Sequence, residues 1–289
     1  MSGDGWTTCA AGHRHWGRFG AAGLLLRSAP GTDTALGLQL RAEWSHHGGT
    51  WGLLGGARDA AETPVEGALR EAGEEASVDA GRVRVEASYF DDHGGWGYTT
   101  VVATAEPGLE LAPRSAESDA VRWVQLAEME RLELHPGFAR TWPVLRHVGP
   151  APVVVVDAAN VIGSRPDGWW RDRAGAVARL RDQLALLAAA GSSAAVLGGT
   201  DGGVRAHPEF VLVAEGAARD VEAVSGVAVV SAAGSGDDAV MEVATQRQGG
   251  PRAVVVVTAD RELRERVRLV GAETVGPRTL LDLLPPSQP

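Results

Sequence analysis

The 289-residue chain contains no lysine, so all 27 of its cationic residues are arginine. Schiff-base chemistry and a P-loop lysine are thereby excluded, while forked arginine donors for phosphate remain. Cysteine occurs once, at Cys9, which rules out an internal disulfide and points to a reducing, cytoplasmic compartment. Cys9 stands near His13 and His15, a sparse zinc-like set whose role the letters leave open. No apolar run reaches the length of a membrane span, and no basic flank followed by a long apolar stretch opens the chain, so neither membrane partner nor signal peptide is expected. Positive charge is in short supply. The net charge of −10 argues against nonspecific coating of nucleic acid and is compatible with carboxylate clusters that hold metal.

What is present is apolar content of 44%, enough for real cores, in a chain long enough for two domains. The first part mixes strand patterns with one clear helix, an α+β texture. GAAGLLLRS and TALGLQLRAEW flank the turn APGTD. VRVEASYF and GYTTVVATAE form a hairpin across DDHGGW, VRWVQLAEME starts as a strand, and HPGFARTWPVLRHV closes as a helix. VGPAP at 148–152 marks the boundary, giving domains 1–148 and 149–289. Beyond it, VVVV, AAVL, FVLVA, VAVV and VVVV alternate with helical stretches. Continuous Val-rich runs predict strands buried on both faces of a parallel sheet, an α/β domain.

Glutamates crowd at 62, 66, 71, 74 and 75. Thr63-Pro64-Val65-Glu66 reads as a helix start with a capping box, and Val65, Ala68, Leu69 and Ala72 supply its apolar stripe. Glu71, Glu74 and Glu75 then fall within one turn of each other, where a hard divalent ion would relieve their repulsion. Gly56, Glu62, Arg70, Glu71, Glu74 and Glu75 spell G-x5-E-x7-R-E-x-x-E-E. The pattern closely resembles the box of the Nudix hydrolase family, with two departures: Ala72 is small for a bulky aliphatic position, and Ser77 replaces a glycine, which puts the turn after the helix in doubt. The resemblance implies an α/β/α sandwich over about 17–147 that cleaves a nucleoside diphosphate derivative. Glu71, Glu74 and Glu75 would bind Mg²⁺ or Mn²⁺, and Arg70 and Glu62 would orient helix and loop by ion pairing. A general base often comes from a later loop, for which Glu117 is the candidate and Asp91 and Asp92 the alternatives. Trp44, Trp51 and Trp96 are candidates for stacking a base. A runner-up reading makes this half a nucleotide sensor, for ADP-ribose as an example, that regulates the second.

In the second half, Asp157 and Asn160 follow one strand, Asp237 and Asp238 open a helix after another, and Asp260 follows a third. Ligands bind at the carboxyl ends of parallel strands, so these acids converge if the strands are neighbours. Each is also a good helix cap. Together, D-x-x-N, D-D and T-x-D-R-E-L resemble the PIN-like nuclease superfamily, especially its NYN branch. That resemblance implies Asp157, Asp238 and Asp260 as holders of Mg²⁺ or Mn²⁺, with Asn160 and Asp237 in support and Asp201 as a further candidate. Single-stranded RNA would be the partner, met by Trp169, Trp170, Arg171 and Arg173. Residues 151–289 carry 14 Arg against 17 Asp plus Glu, a net of −3, so such binding would need a local patch or metal. A silent α/β domain that binds a nucleotide or protein is the alternative.

Overall fold

The computed structural model describes residues 1–28, 34–200 and 202–286; the expected turn at 29–33 and Asp201 lie outside them. The chain divides into two compact units, Met1–Gly149 and Pro150–Pro289.

The first unit opens with a hairpin, β1 (Trp6–Thr8) and β2 (Arg14–Trp16). A mixed sheet follows, made of β3 (Ala21–Arg27), β4 (Ala35–Arg41), β5 (Trp51–Gly52), β6 (Leu54–Ala57), β7 (Val83–Asp92), β8 (Gly97–Ala105) and β9 (Ser118–Gln125). Between β6 and β7 lies α1 (Pro64–Ala76), and α2 (Pro136–Leu145) closes the unit. Neighbours run β7-β8-β3-β4-β5. β3 pairs β8 in parallel along its length, while its other edge is shared: Ala21 to Leu24 meet β6, and Leu26 and Arg27 meet β4. That fork brings β4 and β6 side by side beneath α1. Alternation along β3 places Ala22, Leu24 and Leu26 in one cluster with Ala68, Ala72 and Ala76 of α1. Leu25 points to the opposite face and is also fully buried. The small Ala72 is part of this contact, where alanine lets the helix lie close to the sheet.

α1 starts as its sequence dictates. The Thr63 hydroxyl accepts from Glu66 N, and the Glu66 carboxylate accepts from Thr63 N at 2.8 Å, a reciprocal cap contributing about 1 kcal/mol. At its end Ser77 adopts φ 60°, ψ 26°, the left-handed conformation that glycine takes more easily. The turn is therefore made despite the substitution. VRWVQLAEME ends in a short 3₁₀ segment, Leu126–Arg131.

The second unit contains β10 (Val153–Asp157), α3 (Ala158–Gly163), α4 (Arg173–Ala190), β11 (Val204–Ala206), β12 (Glu209–Ala214), β13 (Val227–Ser231), α5 (Gly236–Gln248), β14 (Val254–Val257), α6 (Arg261–Leu269), β15 (Glu273–Val275) and α7 (Pro277–Leu281). Five strands form an all-parallel sheet in the order β13-β12-β10-β14-β15. Val154 and Val156 face one buried cluster with α3, α4 and Leu280 of α7; Val153 and Val155 face another with α5 and α6. The valine runs are thus buried on both sides, as expected of such a sheet. AAVL is no strand. Ala195–Leu197 is a 3₁₀ turn ending at Gly198 with φ 86°, since alanines give a strand little to pack and the run is too short to hold a place in the sheet.

Candidate active site

On α1 each residue turns about 100° from the last, so Glu75 lies about 60° from the apolar Ala72, Glu71 about 100° and Glu74 about 160°. The three glutamates thus lie within one arc of about 100° but differ in environment. Glu75 is buried, Glu71 is half-buried, and the Glu74 side chain is 61% exposed. Glu75 accepts from Gln39 Nε2 at 3.1 and 3.0 Å and from Gly55 N at 2.8 Å, at the seam of β4 and β6. Burial nevertheless pushes its carboxyl up to about 8, and burial likewise raises that of Glu71.

Arg70 ties the rest together. Its Nε and Nη2 donate to the two oxygens of Glu62 at 2.6 and 3.0 Å, and its Nη1 bridges Glu71 and Glu74 at 3.0 and 3.1 Å. This fork holds the Glu62 carboxyl below its ordinary range and raises the already high value of Arg70. Nη2 also donates to Ala57 O, so helix and preceding loop are bound into one piece. Gly56 stands where a Cβ would come within 2.7 Å of the Glu71 carboxylate. A side chain at this position would displace Glu71.

Glu71, Glu75 and Glu117 line a cleft of about 840 Å³, together with Arg41, Trp44, His135 and Trp96. Asp91 also lines it but is ion-paired with Arg140 and lies 3.2 Å from His93 Nε2. Asp92 instead accepts from Gly94 N in a turn. Trp51 is not among the lining residues; Arg122 lies over its ring at 4.9 Å. Sequence reasoning missed Gln39, Arg41 and His135. Gln39 had a signal, a lone amide within the apolar run ALGLQL. Oxygen-only donors at Glu71, Glu74 and Glu75 suit a hard divalent ion, and a nearby cation would reverse the raised carboxyl values. Among the described residues, two groups of three have donor atoms all within 4.8 Å of one another, Cys9/His13/His15 and His46/His47/His135; the α1 glutamates are not so tightly gathered.

In the second unit β10, β12 and β13 proceed one way across the sheet and β14 and β15 the other, so the order reverses between β10 and β14. At that reversal Asp157 is buried and accepts from Asn160 N, Asn160 Nδ2 and Thr258 Oγ1 at 3.1, 2.7 and 2.9 Å. Asp260 caps α6 and donates its own N–H to Thr258 Oγ1. Burial raises the Asp157 carboxyl; burial and then the charges of Asp157 and Asp260 raise that of Asp237. Asp238 does not join them. One residue farther round α5, it pairs with Arg266 at 2.7 Å, and its side chain is 72% exposed. Glu215 takes its place: it follows β12, accepts from Gly236 N at 3.0 Å, and its charge bears on both Asp157 and Asp237. Its position directly after FVLVA follows the same rule that singled out the other acids. Trp169 packs against the core beneath Arg173, whereas Trp170 and Arg171 are exposed.

No helix among the described residues is long and apolar enough to cross a membrane. The family model described as the NUDIX domain matches residues 18–148. A Mycobacterium tuberculosis protein named "Putative 8-oxo-dGTP diphosphatase 3" is 50% identical over 160 residues, covering 52% of this chain and 72% of that protein. A nucleoside triphosphate pyrophosphatase/Nudix hydrolase fusion protein of Bifidobacterium longum is 43% identical over 146 residues, covering 49% of this chain and 30% of its own length. The crystal structure of the Nudix hydrolase RenU from M. smegmatis is 48% identical, covers 50% of this chain and 94% of that chain, and superposes with a TM-score of 0.47. Being 50% identical over 160 residues that span 72% of the mycobacterial relative, the chain belongs to the Nudix hydrolase family.

Proposed function

We propose that the first unit hydrolyses a nucleoside diphosphate derivative, with an oxidised purine nucleoside triphosphate as the first substrate to test. The observation that carries this reading is that one cleft is lined by the buried Glu75, held by Gln39 and Gly55 N, and by the half-buried Glu71, held by Arg70, which Glu62 anchors in turn. The substrate class comes from the name of the M. tuberculosis relative and its 50% identity. Glu71, Glu74 and Glu75 would hold Mg²⁺ or Mn²⁺. Such an ion supplies charge neutralisation on the diphosphate and a more acidic attacking water. Glu117 is the proposed general base: like Asp4 it is an exposed carboxylate of the cleft in no ion pair among the described residues, and it stands in the later loop, just before β9. It takes the proton from water as the new P–O bond forms, and pyrophosphate leaves with the electrons of the bond that breaks. Arg41 faces the same space and suits the phosphates, and Trp44 and Trp96 offer aromatic faces to the base. The test is a panel of 8-oxo-dGTP, dGTP and ADP-ribose with Mg²⁺, comparing wild type with Glu117→Gln. Release of a mononucleotide from the oxidised nucleotide, slowed at least tenfold in the variant, supports the reading. Equal rates would remove Glu117 from it, and tight ADP-ribose binding without turnover would favour a sensor.

For the second unit, the gathering of Asp157, Asp237, Asp260 and Glu215 at the reversal of strand order favours a PIN-like, metal-dependent nuclease acting on single-stranded RNA. Trp170 and Arg171 are the exposed groups available to a strand. Cleavage of labelled RNA with Mn²⁺ by the full chain, lost in Asp157→Asn and kept in Asp238→Asn, is the expected result. Equal cleavage by wild type and Asp157→Asn would overturn it.

A further inference from the structure

Cys9, His13 and His15 take no part in the chemistry above, yet the fold gathers them. β1 and β2 pair with Thr7 opposite His15 and Thr8 opposite Arg14. The turn closes through Cys9 N to His13 O at 3.0 Å and Gly12 N to Cys9 O at 2.9 Å. Alternation then puts Thr7, Cys9, His13 and His15 on one face of the hairpin. The donor atoms of the cysteine and both histidines lie within 4.8 Å of one another.

The set is graded in a way that suits an ion. The Cys9 thiol is buried, 5% exposed, and is free of any disulfide. His15 is half-buried, and its Nε2 is enclosed with no hydrogen-bond partner, which is costly for a polar ring atom. His13 is exposed, so one side stays open to water. Trp96 stacks on the His15 ring at 4.0 Å with a 10° tilt, and His93 meets it edge-on at 4.7 Å, so the ring's orientation is set by its neighbours. Ala10 N donates to Gly94 O at 2.7 Å, fastening the hairpin tip to the same loop.

We propose that Cys9, His13 and His15 form a zinc site with three protein ligands and a fourth position open to water. One thiolate and two imidazoles are borderline-soft donors, which select zinc over the hard ions suited to the α1 carboxylates. Binding releases the Cys9 thiol proton to solvent. Because His15, His93 and Trp96 all line the cleft, the ion clips the N-terminal hairpin to the cleft rim and fixes the aromatic wall there. The site does not depend on the hydrolytic reading. His46, His47 and His135 form a second compact group of three imidazoles, in which His135 Nδ1 already accepts from Gly137 N at 3.2 Å, and the test below separates the two.

The test uses untagged full-length chain, stripped with chelator and reloaded with Co²⁺ or Zn²⁺. Wild type should show a thiolate-to-cobalt charge-transfer band, displaced by zinc, and should retain stoichiometric zinc through gel filtration. Cys9→Ala should lose the band and at least tenfold in zinc affinity. His13→Ala, at an exposed position that folding tolerates, should lose affinity while keeping its circular dichroism. Glu75→Gln should retain zinc, separating this ion from one on α1. A wild type with no charge-transfer band, or equal zinc affinity in wild type and Cys9→Ala, would overturn the proposal; the latter would assign the ion to the three-histidine group.

Discussion

Gln39 Nε2 reaches both carboxylate oxygens of Glu75, at 3.1 and 3.0 Å, from a strand thirty-six residues earlier in the chain. Its own carbonyl oxygen is fixed by Ser118 Oγ at 2.6 Å, so β9, β4 and α1 are connected through one buried amide. Gln39→Leu should cost about 1–3 kcal/mol, because it leaves a buried carboxyl short of donors. Urea unfolding in a double-mutant cycle with Glu75→Ala checks it. A coupling of at least about 0.5 kcal/mol is expected, and strict additivity would mean that the contact carries no energy.

Ser77 holds a left-handed conformation at φ 60°. Ser77→Gly should therefore raise stability by about 0.5–1 kcal/mol without altering activity, since only the backbone strain of the helix C-terminus is relieved. The weak bond from Ser77 Oγ to Ala112 O at 3.3 Å is the sole side-chain hydrogen bond described for Ser77 that the change removes. Thermal melts at constant Mg²⁺ measure the gain.

Gly56→Ala should leave the protein folded and lower kcat/KM about 10–100-fold, because its methyl group would stand 2.7 Å from the Glu71 carboxylate. A Mg²⁺ titration of the rate should show the loss mainly as weaker metal affinity. An unchanged rate would mean that Glu71 moves aside at no cost to the chemistry.

The legible parts of this protein were those written in local spacing. The capping box, the α1 stripe and the glutamate pattern are one-turn relationships, and the valine runs state their burial directly. Gln39 escaped because its partners, Glu75 and Leu53 O, arrive only when β4, β6 and α1 come together in the fold. The expected pairing of Asp238 with the other acids failed for a rotational reason: of two adjacent helical residues, only one can face the strand ends, and strings of letters do not say which. AAVL looked like a strand because composition without a pairing partner cannot separate a buried turn from a ladder.

His135 titrates in a window of its own. Burial, then the neighbouring His47 and Arg41, lowers it to about 4, below the ordinary histidine value near 6.5. The unfolded chain therefore binds a proton between about pH 6.5 and 4 that the folded protein refuses. The stability held above about 6.5 is lost as pH falls through that range, by on the order of 2 kcal/mol. His135→Asn keeps an acceptor for Gly137 N at the start of α2 and removes the titration. The stability of wild type relative to the variant should thus fall by on the order of 2 kcal/mol as pH falls from 6.5 to 4; a difference independent of pH would show that His135 is solvated.

The most direct measurement follows Mn²⁺ by electron paramagnetic resonance as it is added to wild type and to Glu75→Gln, with 8-oxo-dGTP hydrolysis read on the same samples. Wild type should bind the ion and release mononucleotide in proportion to occupancy. Glu75→Gln, still folded but with no carboxylate to offer the ion, should bind at least tenfold more weakly and hydrolyse at least a hundredfold more slowly. Wild-type binding and turnover in Glu75→Gln would contradict the assignment of the α1 carboxylates as the centre of the reaction.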